Sequence, residues 1–217
     1  PFFYLKNMHF FGSKNTLIKA LIFDLGNVIL QLNDEEKWES EIFIPLFEKE
    51  KYSILNNNNF FERFECGLFD ESFFIQQLQK ISNQPIETET IIDAWNAKIS
   101  HFPDGNIETI NALKYRYRIF LLSNTNSIHE KYFIKLLISK FGENIFDDLF
   151  ETCFYSHHLK QRKPNPDIFE TVLKSTQLQA NECLFLDDNE ANITAALSLG
   201  FETIWIKNST QIQELYE

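Results

Sequence analysis

The chain has 217 residues, 31 of them acidic against 20 basic for a net charge of −11, with 44% hydrophobic and 24% charged residues. That length and composition suit a soluble globular protein with one sizeable core or a core plus an inserted module, and exclude three independent domains. No clustered Lys and Arg offsets the acidity, which argues against a nucleic-acid partner and leaves any anionic ligand to a local site.

Residues 1–16 read as an N-terminal arm: Pro1 to Phe11 is aromatic but carries Lys6 and His9, with no run near the roughly 18 apolar residues that span a membrane. The first apolar run, Ala20-Leu21-Ile22-Phe23, ends at Asp24 and is followed by Gly26-Asn27, the pattern of a buried strand running into a tight turn. An Asp that merely caps the turn is the plain alternative at this point. From Asn33 to about Ile99 the apolar residues fall at helical spacing, as in Trp38, Ile42 and Leu46 or Phe74, Leu78 and Ile81, and no strand pattern appears. Pro45 is expected to split the first helix, Asn56 to Asn59 to break the next, and Thr88 to cap the last.

The second half alternates between the two periods. A helix is expected around Ile107 to Leu113, a buried strand over 117–122 ending in Ser123-Asn124, and a helix over 128–140. A strand near 149–155 follows, then a helix entered at Lys163-Pro164. Next come a strand over 183–186 ending in Asp187-Asp188, a helix stopped by Gly200, and a last strand over 202–206. Strands alternating with helices imply an α/β fold, a three-layer doubly wound parallel sheet, with 17–32 and 102–217 forming the core and 33–101 inserted as a helical module. Cys66, Cys153 and Cys183 lie too far apart for a CxxC motif and are odd in number, so a reducing cytoplasm is the expected setting.

Ligands of such sheets bind outside the carboxyl ends of the strands, where Asp24, Ser123-Asn124 and Asp187-Asp188 are delivered together. Two carboxylates about 4 Å apart repel by roughly 4 kcal/mol at an effective dielectric near 20, and a hard divalent cation removes that cost. Asp24 and Asp188, with a backbone carbonyl and waters, make an oxygen site suited to Mg²⁺. Aspartate is also a nucleophile toward phosphorus, and the Ser123 hydroxyl with the Lys163 ammonium would hold the remaining phosphoryl oxygens.

Phe23-Asp24-Leu25-Gly26-Asn27-Val28, Leu122-Ser123-Asn124-Thr125-Asn126, Arg162-Lys163-Pro164 and Phe185-Leu186-Asp187-Asp188-Asn189 resemble, in order, the four motifs of the haloacid dehalogenase-like hydrolase superfamily. Within it the chain is similar to helical-cap sugar-phosphate phosphatases of the glucose-1-phosphate phosphatase type. The resemblance implies a Rossmann-like hydrolase core and a cap made by the helical insert. Asp24 would be nucleophile and metal ligand, Gly26 a carbonyl ligand, Asp188 the acidic Mg²⁺ ligand, and Ser123 and Asn124 phosphate binders. Lys163 would balance charge, with Asp187 and Asn27 in support. The substrate would be a small phosphorylated metabolite, and the protein a monomer or homodimer.

One departure stands out: most phosphatases of the superfamily carry a second Asp two residues after the nucleophile, as general acid and base, where this chain has Gly26. Two alternatives follow, a metal-independent 2-haloacid dehalogenase and a phosphate-ligand binding or regulatory protein with little turnover. Arg63 and Glu65 are candidates to face the substrate from the cap. His101, His157 and His158 read as surface loop positions, and the Phe series at 60, 61, 64, 69, 73 and 74 as packing.

Overall fold

Each apolar run becomes a short strand in the computed structural model, which describes residues 17–215, so the expected arm at 1–16 lies outside the described residues. The strands are β1 (Ala20–Phe23), β2 (Gln31–Leu32), β3 (Ile99–His101), β4 (Arg118–Ser123), β5 (Thr152–Tyr155), β6 (Cys183–Asp187) and β7 (Glu202–Trp205). Five form one sheet in the order β5-β4-β1-β6-β7, with every neighbouring pair parallel.

Alternate residues of a strand face opposite sides, and here both sides are apolar. Leu21 and Phe23 of β1 join Ile119, Leu121, Leu184 and Leu186 on one face, under helices Asn106–Leu113 and Ser127–Phe141. Ala20 and Ile22 join Phe120, Leu122, Cys183 and Phe185 on the other, under helices Pro166–Thr176 and Glu190–Ser198. The chain thus winds outward from β1 in both directions, and the topological switch point falls at β1's carboxyl end.

Between β2 and β3 the insert runs as short helices, including Lys49–Asn57, Phe60–Glu65, Glu71–Lys80 and Thr88–Asn96. Pro45 sits in a 3₁₀ turn, Ile44–Leu46, that ends a π-helical turn over Trp38–Phe43, as its missing N–H requires. The insert has its own aromatic core, with Phe64 and Phe74 stacked at 4.1 Å and Phe74 also against Phe60, Phe61 and Trp95. Ile128, from the core helix, is buried in that same cluster. Phe74→Ala is expected to cost about 3–5 kcal/mol, read as a lowered urea midpoint, whereas its half-exposed neighbour Phe73 should cost under about 1 kcal/mol.

Several boundaries differ from the sequence expectation. Ile99 is not helical: Ile99–His101 pairs antiparallel with Gln31–Leu32, joining the two ends of the insert by a two-stranded ribbon. Strands of two and three residues are too short to display a period of two. Thr88 is the first helical residue and Glu87 the cap. Residues 146–149 form a helical turn ahead of β5, and the helix after Lys163 begins at Pro166. Among the described residues no helix is long and apolar enough to cross a membrane.

Candidate active site

Asp24 follows β1 at the switch point, its backbone N–H bonded to Leu186 O at 2.8 Å. The neighbouring strands β4 and β6 end at Ser123 and Asp187, so three strand ends deliver polar side chains to one edge. Lys163 reaches in from the loop before helix Pro166–Thr176 and is only 1% exposed. Its ammonium donates to Asp24 Oδ1, Asp187 Oδ2 and Leu122 O, each at 2.7 Å. An ammonium has three protons, and all three are used.

Each partner is itself held. Asp187 accepts from the Asn189 N–H at 2.8 Å and from Asn192 Nδ2 at 3.0 Å. Asp188 Oδ2 accepts from Asn27 Nδ2 at 3.0 Å, and Trp205 Nε1 donates to Asp188 O at 2.8 Å. Asn27 adopts φ 52°, a left-handed conformation that Asn tolerates, and its Oδ1 takes the Leu32 N–H at 3.2 Å. Asn124 uses its side chain within the protein. Its side chain accepts from the Lys163 N–H at 2.9 Å and donates to Lys163 O at 2.8 Å, so the side-chain amide positions the lysine and leaves the Asn124 backbone N–H as the group it could offer a phosphate. Ser123 Oγ and Asp24 Oδ2 have no hydrogen-bond partner among the described residues, which leaves both free for a ligand.

Carboxylate oxygens of Asp24, Asp187 and Asp188 lie within 4.8 Å of one another. Fully ionised, one ammonium among three carboxylates leaves two surplus negative charges. Burial, reinforced by Asp187 and Asp188, pushes the Asp24 carboxyl well above the usual range despite Lys163. Burial also raises Asp188. For Lys163 burial works against the charge, but Asp187 and Asp24 outweigh it and hold its pKa above normal. A hard dication fits such a site: the donors are oxygens, the Asp24 and Asp188 carboxylates have lone pairs to spare beyond their protein partners, and the surplus charge equals that of the cation.

Beside these residues lies a cavity of about 110 Å³, bounded from the core by Leu25, Gly26, Ser123, Asn124, Thr125 and His129 and from the insert side by Glu65, Trp95 and Lys98. Glu65 therefore faces the site, its carboxyl 3.0 Å from Arg162 Nη2. Arg63 does not: it is exposed and lies over the Phe69 ring. His129 was not anticipated. It stacks on Trp95 at 5.1 Å, donates from Nε2 to Trp95 O at 3.0 Å, and accepts at Nδ1 from Asn126 at 3.2 Å. Burial pushes its pKa down to about 4, so it is neutral. Its only signal in the sequence is its place in the first turn of the helix that follows the Ser123-Asn124 strand end. His157 is also a correction, being buried in a helical turn with Nε2 2.9 Å from Glu130, while His158 and His101 are exposed.

Comparison with known proteins gives a consistent result. A family model described as haloacid dehalogenase-like hydrolase matches residues 18–200. D-ribitol-5-phosphate phosphatase of Bacteroides thetaiotaomicron is 26% identical over 88% of this chain and 93% of its own. A crystal structure of a HAD-family enzyme from the same organism superposes with a TM-score of 0.82 at 28% identity, over 93% of this chain and all of that one. A complex of that wild-type enzyme with magnesium and inorganic phosphate has a TM-score of 0.76 at 29% identity, over 87% and 93% of the two chains.

Proposed function

The chain belongs to the haloacid dehalogenase-like hydrolases, and from that premise we propose that it is a Mg²⁺-dependent phosphatase of a small phosphorylated metabolite, of the sugar or sugar-alcohol phosphate class. The observation that carries this reading is the Asp24–Lys163–Asp187 arrangement beside Asp188. One oxygen of Asp24 is pinned by the ammonium at 2.7 Å while the other is left unpartnered, which is what a nucleophile presented to phosphorus needs. Asp24 Oδ2 attacks phosphorus and the ester oxygen departs, leaving an aspartyl phosphate. Ser123 Oγ donates to a phosphoryl oxygen, and Lys163 stays charged throughout because Asp187 holds it there. Water then cleaves the intermediate and Asp24 is restored.

Asp24, Asp188 and the Gly26 carbonyl would hold Mg²⁺, which supplies positive charge toward the phosphoryl oxygens and cancels the surplus of the carboxylates. A metal-independent dehalogenase has no use for that surplus. The purified protein is expected to release phosphate from a sugar-phosphate panel, to stop when EDTA strips divalent cations, and to recover with added Mg²⁺. Undiminished release in excess chelator would overturn the metal assignment; silence on every panel member, with Mg²⁺ present, would overturn the phosphatase reading.

A further inference from the structure

The mechanism lacks a proton donor for the leaving group, because Gly26 has no side chain at the place where a carboxyl would serve. Among the described residues Glu65 is the one acidic residue lining the cavity, and it arrives from the opposite wall on the insert. Its position is fixed by contacts to the core. Ser156 Oγ donates to Glu65 O at 2.6 Å while accepting the Thr125 N–H at 2.9 Å, so Glu65's backbone is tied two residues beyond Ser123. Gly67 follows at φ 58°, and a Cβ there would collide with the His157 carbonyl, so the turn presses directly on the core backbone. Arg162, adjacent to Lys163, donates from Nη2 to Glu65 Oε2 at 3.0 Å, and Glu65 Oε1 has no hydrogen-bond partner among the described residues.

We infer that Glu65 is the catalytic acid and base of this site, replacing from the insert the carboxyl that Gly26 cannot provide. The inference rests on the phosphatase reading above. In the first half-reaction Asp24 Oδ2 forms its bond to phosphorus, the bond from phosphorus to the ester oxygen breaks, and that oxygen takes the proton of the Glu65 carboxyl and leaves as an alcohol. Glu65 is then a carboxylate. In the second, water adds to phosphorus and gives a proton to Glu65, the Asp24–phosphorus bond breaks, and phosphate leaves with both carboxyl groups reset. The groups facing Glu65 are Arg162 and Lys98, which favour its carboxylate, and Glu62, which opposes it; burial exceeds them and raises its pKa, the direction that favours a proton donor. Arg162 is a positioning residue, aiming Oε1 by holding Oε2.

The test is a leaving-group series on wild type and Glu65→Gln, an isosteric change that keeps the Arg162 contact and the backbone bond to Ser156. A p-nitrophenolate leaves without a proton, whereas an alkoxide does not. Glu65→Gln should therefore lose about 100-fold or more in kcat/KM on alkyl phosphates and less than about tenfold on p-nitrophenyl phosphate, with a steeper dependence on leaving-group pKa. Glu65→Asp should recover part of the alkyl activity. Equal loss on both substrate types points to a merely structural glutamate and overturns the assignment, as does no loss on either. If wild type itself cleaves neither substrate with Mg²⁺ present, the phosphatase reading falls and this inference with it; failure of Glu65 alone leaves wild-type turnover intact.

Discussion

Asp24→Asn protein is expected to release phosphate at least 10⁴-fold more slowly than wild type, about the scale on which enzymes lose rate when a covalent nucleophile is removed. Loss of fold cannot account for the defect, because the same change should leave the metal-free protein as stable or more so. Burial and two neighbouring carboxylates hold the Asp24 carboxyl above its ordinary range of about 3.9. Between that range and the folded value the native state keeps a proton that the unfolded chain has released, so stability falls as pH rises through the window. Asparagine has no proton to lose. Urea midpoints in EDTA should therefore favour Asp24→Asn increasingly as pH rises from about 4, and level off above the folded pKa. The opposite trend would mean that the attraction of Lys163 outweighs burial, and phosphate release near the wild-type rate would remove Asp24 from the mechanism.

Lys163→Met should be the most destabilising single change at the site. The side chain is 1% exposed and its three donors are all engaged, so its removal leaves Asp24 and Asp187 as buried carboxylates without their cation. Breaking one partner out of a buried ion pair costs about 3–5 kcal/mol, because the survivor keeps its desolvation penalty. For a domain of this size that is a fall in melting temperature on the order of 10 °C, readable by calorimetry, along with loss of turnover. Lys163→Arg is no remedy, since a guanidinium is larger and planar where three acceptors surround a point charge. Combining Lys163→Met with Asp187→Asn should recover part of the lost stability, because the change neutralises the carboxylate that the lysine most strongly serves. A melting temperature within about 2 °C of wild type for Lys163→Met would show that the ammonium is not paired as the geometry has it.

Much of this site could be read from the sequence because it hangs on strand ends. An apolar run of four to six residues cut off by a polar one marks both the strand and its carboxyl terminus, and parallel pairing then brings Asp24, Ser123 and Asp187 to one edge without further information. Lys163 was legible from its motif alone. Asn124 was not, since its amide could serve a phosphate or the Lys163 backbone equally well, and only the orientation of a loop 39 residues away decides between them. The pairing of Glu65 with Arg162 spans 97 residues, and the burial of His157 depends on Glu130 from another helix. Such contacts are properties of packing, which leaves no periodicity in the chain.

The helix turn that follows β4 belongs to two neighbourhoods at once. Asn126 accepts from Trp95 Nε1 at 3.3 Å, His129 bonds Trp95 O at 3.0 Å, and Ile128 between them is buried among the insert's aromatic rings. Were the insert to swing away on its ribbon, these contacts would part together, exposing an isoleucine and a tryptophan face to water and freeing the imidazole to take up a proton. In this structure the insert is shut on the core over a cavity of about 110 Å³. Were a ligand to enter only through such an open form, its apparent affinity would be reduced by the fraction of the protein in that form. Residues 126–129 would then tune KM from a distance, by setting how firmly the insert is held to the core.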